Sequence, residues 1–166
     1  AKRYAKLSRE QVDIEMAAHG GSIVEIKNSG KGWQVEYDSK FARRITAFTK
    51  MQITGPAKEH LRMKSRQSEG GKFAYGTFNN CAGGITPWGT YLMAEENFHG
   101  YFVDSKNSKN YGSEQKNFER YGLPGGYFGW GKYYDNFDLA KDAFAANHYG
   151  WIVEVDPMDP TSVPKK

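Results

Sequence analysis

The stretch Asn79-Asn80-Cys81-Ala82-Gly83-Gly84-Ile85-Thr86-Pro87-Trp88-Gly89-Thr90, running on into Tyr91-Leu92-Met93-Ala94-Glu95-Glu96, decides how the rest of the chain is read. Two asparagines precede the cysteine, and asparagine tolerates left-handed backbone and ties its side chain to nearby main chain. Two glycines follow, which lets backbone pass close to an enclosed group. Residues 79–87 therefore read as an irregular loop, Thr77-Phe78 as the strand end before it, and Trp88 to Glu96 as the strand after it. Such a loop can fix a thiolate in place. With Glu95 and Glu96 it makes a mixed sulfur–oxygen ligand set, in which sulfur suits iron or zinc and carboxylates suit calcium and iron.

Outward from this centre the strand pattern recurs. Ser22-Ile23-Val24-Glu25-Ile26 matches Trp151-Ile152-Val153-Glu154-Val155 almost position for position, and Tyr91 to Glu96 is a looser third copy. Each is apolar with a carboxylate near its C-terminal end. Side chains alternate faces along a strand, and a glutamate among apolar neighbours is costly to bury without a partner. As equivalent strands of successive propeller blades, the copies would turn their acids toward a common axis, where cations would have to neutralise them. The alternative is three edge strands whose glutamates face water. The copies lie further apart than the roughly 40–50 residues of a propeller blade, so insertions must separate them.

The remaining segments fit a β-rich, loop-rich class. Ser8, with Gln11 three positions on, carries the spacing of a capping box for one short helix over 7–18, ended by Gly20-Gly21. Ser22 to Lys27 and Trp33 to Tyr37, separated by Asn28-Ser29-Gly30-Lys31-Gly32, read as a hairpin. Arg44 to Phe48 reads as another strand, Gly55-Pro56 as a turn and 57–71 as a connecting loop. Residues 101–132 read as a long surface insertion pinned by aromatics, Phe144 to Asn147 as a short helix and Gly150 to Asp156 as a final strand.

Composition sets the limits. The 166 residues include 19 glycines and 15% aromatics, enough for a packed core with many turns. The net charge of +4 is spread along the chain, with Lys2-Arg3, Arg43-Arg44 and Lys165-Lys166 as the adjacent cations, whereas a nucleic-acid binder gathers them on one face. No apolar run approaches the roughly 20 residues of a membrane span. Ala1-Lys2-Arg3-Tyr4 opens no signal-peptide pattern, and Thr161 to Lys166 reads as a connection toward a further element. The single cysteine makes no disulfide within the chain. A lone cysteine is commonly a small buried hydrophobe. It can also be a nucleophile, for which His19, His60, His99 and His148 are candidate bases. No zinc pattern and no P-loop is present.

The central motif, followed by Glu95-Glu96-Asn97, resembles the signature of PhoX-type alkaline phosphatases. Ala17-Ala18-His19-Gly20 leading to Val24-Glu25-Ile26, then Arg43-Arg44-Ile45-Thr46, Thr54-Gly55-Pro56 and Gly150 to Pro157, resemble further parts of that family in order. The resemblance implies that the chain is all-β, a single segment (1–166) of a larger β-propeller with long loop insertions and one short N-terminal helix. It implies hydrolysis of phosphate esters at a cluster of Fe3+ and Ca2+, in a periplasmic or extracellular setting, with flanking propeller sequence as partner and no nucleic acid. Carried over by position, the resemblance implies that Cys81 would be the metal-bridging ligand, that Glu95 and Glu96 fall on an acidic pair of which Glu96 is favoured, and that Glu154 falls on a glutamate expected to reach the cluster. Asn80 and Asp156 give polar support. The family's upstream Asn-His-Glu element has no counterpart in this chain, and Ala145 to Trp151 lacks the acid and Arg that usually stand there. A non-catalytic propeller module and a calcium-propeller hydrolase are the rival readings.

Overall fold

The computed structural model describes residues 6–108 and 110–166. The opening Ala1-Lys2-Arg3-Tyr4 lies outside them. Helix α1 (Arg9–Ala18) begins as its sequence demands. Ser8 Oγ accepts from Gln11 N at 3.3 Å and Gln11 Oε1 accepts from Ser8 N at 2.9 Å, the reciprocal bonds of a capping box. Val12 and Met16, four residues apart on one face, are buried. At the other end Arg44 reaches back, its guanidinium donating to the carbonyls of Ala17, Ala18 and His19 and to the Ser22 hydroxyl. Those carbonyls have no partner within a helix, so the arginine caps them. Gly20 then turns the chain at φ 89°, where an added Cβ would lie 2.0 Å from the Ile45 carbonyl oxygen.

Strand β1 (Gly21–Ile23) pairs antiparallel with β4 (Arg43–Ile45), and β2 (Glu25–Asn28) pairs antiparallel with β3 (Trp33–Glu36). The expected hairpin is present. The single strand expected from Ser22 to Lys27 is instead two, divided at Val24, because Arg44 pins β1 beside the helix end while β2 follows its own partner.

The main array holds the candidate site. Strands β7 (Asn80–Ile85), β8 (Tyr91–Glu95) and β9 (Ile152–Val155) run antiparallel in that order, and β5 (Lys50–Gln52) pairs with β6 (Phe73–Tyr75). Main chain at Lys165 joins the two groups, bridging antiparallel to Glu154 and parallel to Gln52. The order is thus β7-β8-β9, then residue 165, then β5-β6. Among the described residues no sheet closes on itself. Residues 80–85, expected as loop, are strand: Gly83 and Gly84 pair with Met93 and Leu92. The first of these glycines is needed there because the Tyr91 hydroxyl would sit 2.4 Å from a Cβ on Gly83. The repeated strands are not spaced around an axis either. Two of them, β8 and β9, are direct neighbours, with Leu92 opposite Glu154.

The largest correction concerns residues 101–132. Tyr101, Phe102, Phe118 and Trp130 are buried and, with Val12, Met16, Phe78, Phe137 and Tyr149, form the main core. Phe78 sits at its centre, with ring centroids 4.5 Å from Tyr101, 4.6 Å from Tyr149 and 5.3 Å from Trp130. These residues come from short 3-10 turns and the seven-residue helix α2 (Gln115–Tyr121), so no period of 2 or 3.6 reveals them. A second cluster of Ile45, Met51, Met93, Val153 and Val155 lies under the main array. No helix among the described residues is long and apolar enough to cross a membrane.

Candidate metal centre

Cys81 is the extra residue of a β-bulge. Asn80 pairs with Glu95 and Ala82 with Ala94, so Cys81 has no counterpart on β8. A bulge re-aims the side chain it carries, and here it leaves the thiol exposed. Asn79, at φ 51°, organises the approach. Its carbonyl accepts from Glu96 N at 3.0 Å, its Nδ2 donates to the Glu96 carbonyl at 3.0 Å, and its Oδ1 lies 3.7 Å from Cys81 Sγ. The loop and the end of β8 are thereby tied together, with the Glu96 carboxylate facing the sulfur. The Cys81 thiol is pushed above its ordinary range, first by desolvation and then by Glu96 as hydrogen-bond acceptor and like charge. Two anionic groups held this close repel one another, and a cation between them reverses the sign.

The two adjacent acids face opposite environments because side chains alternate along β8. Glu95 points inward, its side chain 0% exposed. Lys166 Nζ donates to it at 2.6 Å, and the main-chain N–H groups of Gly150 and Trp151 donate at 2.9 and 3.0 Å. Lys166 Nζ also donates to the His148 carbonyl and lies over the Tyr149 ring. Glu95 is therefore committed to a buried ion pair. Glu96 is exposed, its carboxylate beside Cys81 and accepting from Asn97 Nδ2.

Glu154 stands apart from that pair. It lies opposite Leu92, three residues from Glu95, or about 10 Å along the strand. Its Oε1 accepts from Trp88 Nε1 at 2.8 Å and Thr90 Oγ1 at 2.6 Å. Those bonds, Thr90 first, hold its carboxyl below the ordinary range and keep it ionised. Asp156 has a turn-forming place, with Oδ1 accepting from Met158 N and Asp159 N. Asn80 donates through Nδ2 to Thr77 Oγ1 at 2.8 Å, which leaves its Oδ1 buried with no partner among the described residues. Asn80, Cys81, Ala82, Gly83 and Thr90 line one cavity of about 600 Å³.

The histidines are engaged elsewhere. His19 Nδ1 accepts from Asn79 N, His60 Nδ1 accepts from Arg62 N, His99 packs edge-on to Tyr127, and His148 Nε2 meets the Met63 carbonyl. None of these contacts makes a base for Cys81. The left-handed backbone and main-chain tie of Asn79 are what asparagine there suggests, whereas the parts played by Trp88 and Thr90 were not read from the sequence, although both lie in the quoted motif.

As a donor set, Cys81 and Glu96 offer sulfur and oxygen, with the orphaned Asn80 Oδ1 nearby. This fits part of an iron site. Among the described residues no three His, Cys, Asp or Glu side chains are grouped closely enough to hold a metal. The set is partial.

The family model described as alkaline phosphatase PhoX matches residues 1–166. The chain belongs to the PhoX alkaline phosphatase family. A solved structure of Pseudomonas fluorescens PhoX, in complex with vanadate as a transition state analogue, is similar at 40% identity and a TM-score of 0.88. The match covers 96% of this chain and 27% of that protein, so the chain spans about a quarter of its relative. The search of curated proteins finds no match.

Proposed function

We propose that residues 1–166 form one segment of a larger β-propeller whose whole chain hydrolyses phosphomonoesters at an iron–calcium cluster. The observation that carries this reading is the bulge that turns Cys81 toward Glu96 beside an open cavity. Cys81 and Glu96 would hold iron as thiolate and carboxylate. Asn80 Oδ1 offers a carbonyl-type oxygen, a ligand calcium accepts. When bound, such ions draw in the phosphoryl oxygens, offset charge developing in transfer and lower the pKa of bound water. Asn79 fixes the distance between loop and strand end, and Glu95 serves the fold through Lys166. Glu154 supplies an ionised carboxylate away from the Cys81–Glu96 pair, where it would face a second cation of the cluster. The outward Val24, Ile26 and Trp33, at 57%, 50% and 67% exposure, support flanking sequence as the covering partner. The reading takes the setting to be periplasmic or extracellular, as the resemblance to this family implies.

The test is metal analysis with turnover of p-nitrophenyl phosphate in the full-length protein. Cys81→Ala should remove iron and lower turnover by at least the roughly 10–100-fold typical of losses one shell further out. Wild-type iron with near-normal turnover in that variant would end the assignment of Cys81.

A further inference from the structure

His19 sits under the cysteine loop, in the Ala-His-Gly stretch between α1 and β1. We propose that His19 is a positioning residue for the Cys81–Glu96 pair: its neutral ring, protonated on Nε2, anchors Asn79 through Nδ1 and so holds the loop against the end of β8.

The geometry fixes the tautomer. Asn79 N is a donor and lies 3.2 Å from His19 Nδ1, so that nitrogen must carry a lone pair. The proton of the neutral ring is then on Nε2, which faces the Tyr101 hydroxyl at 3.3 Å. The ring is held edge-on by aromatic neighbours, with centroids 5.3 Å from Tyr101, 5.3 Å from Trp130 and 6.2 Å from Phe78. Trp130 is itself tied to α1 through Nε1 and Glu15 Oε2 at 3.0 Å. His19 is thus fixed to the helix and core on one side and to one backbone N–H on the other. Burial lowers the His19 pKa, which favours the neutral ring that this bond requires.

Asn79 is the residue through which the bond acts. Its left-handed backbone is uncommon outside glycine. From it come both bonds to the Glu96 main chain and the contact at Cys81 Sγ. A main-chain N–H with a fixed acceptor holds that conformation, and no backbone acceptor among the described residues is bonded to it. Outer-shell groups that orient ligands are worth about 10–100-fold in metal affinity. The ligand role of Cys81 and Glu96 rests on the function proposed above; the positioning does not.

The experiment uses the full-length protein, first as purified and then after chelation. Three variants separate the acceptor from the bulk of the side chain. In His19→Asn the side-chain oxygen stands where Nδ1 stood, in His19→Gln the acceptor is displaced toward Tyr101, and His19→Ala has none. Alkylation of Cys81 by a maleimide in chelated protein should quicken at least about threefold in Ala and Gln, as the loop loses its anchor and the thiol moves away from Asn79 and Glu96 into the open. His19→Asn should restore the wild-type rate. Iron in protein as purified should fall about tenfold in Ala and Gln and recover in Asn. Alkylation in His19→Ala at the wild-type rate, or an Asn variant no better than Ala at equal melting temperature, would overturn the positioning role. Should alkylation follow His19 in a protein that holds no iron, the metal reading fails and the positioning stands.

Discussion

Replacing His148 with Gln should flatten the acid side of the protein's stability profile. His148 is buried, its Nε2 2.9 Å from the Met63 carbonyl and its own carbonyl accepting from Lys166 Nζ. Burial, with a smaller push from the Lys166 charge and against the pull of the Met63 bond, lowers its pKa from 6.5 to about 4. The unfolded chain therefore takes up this proton at a higher pH than the folded one. The stability from the neutral, buried ring is complete above the unfolded pKa of 6.5 and is lost as pH falls toward about 4. Each pH unit between those two values is worth roughly 1.4 kcal/mol, so the whole window amounts to about 3 kcal/mol. Glutamine can donate to the Met63 carbonyl from nearly the same place and does not titrate. Urea unfolding at several values across that window should show an acid loss of stability smaller in His148→Gln by about that total, with the two proteins differing least near neutrality. Parallel profiles would refute the linkage and mean that His148 is protonated without cost.

The ion pair under β8 gives a second prediction. Lys166→Met leaves the Glu95 carboxylate buried with only the Gly150 and Trp151 N–H donors and should cost about 3 kcal/mol in urea unfolding, whereas Glu95→Gln with Lys166→Met should recover most of it. Equal losses in the single and double variants would show that the pair is not coupled. The neighbouring acid should behave in the opposite way: Glu96→Gln should leave stability within about 0.5 kcal/mol and lower iron in the purified protein. Intact iron in that variant removes Glu96 from the metal reading. Glu154→Gln should lower total metal more than Glu119→Gln, whose carboxylate accepts from Gln115 on the surface of α2; identical metal contents would return Glu154 to a surface role.

What was legible in the sequence was local. The Ser8–Gln11 box, the hairpin around Gly30 and the strand at Val153 each depend on neighbours a few residues away, and each stands where expected. What was hidden depends on distance along the chain. Residues 101–132 look like surface because their aromatics follow no period, yet Phe78 gathers them from loops far apart in sequence. Arg44 splits the first strand by capping a helix some 25 residues earlier, which no window on residues 22–27 contains. At the candidate site, the types Cys81, Glu95 and Glu96 were visible, but their separation onto two faces needed the ladder register and the bulge. Lys166, 71 residues from Glu95, is what claims the inward acid.

The most direct test of the central claim is iron K-edge X-ray absorption on the purified full-length protein and its Cys81→Ser variant. The account predicts a sulfur neighbour around iron in the wild type that disappears in the variant. An iron shell of nitrogen and oxygen alone in the wild type, or a sulfur neighbour that survives the substitution, would contradict it.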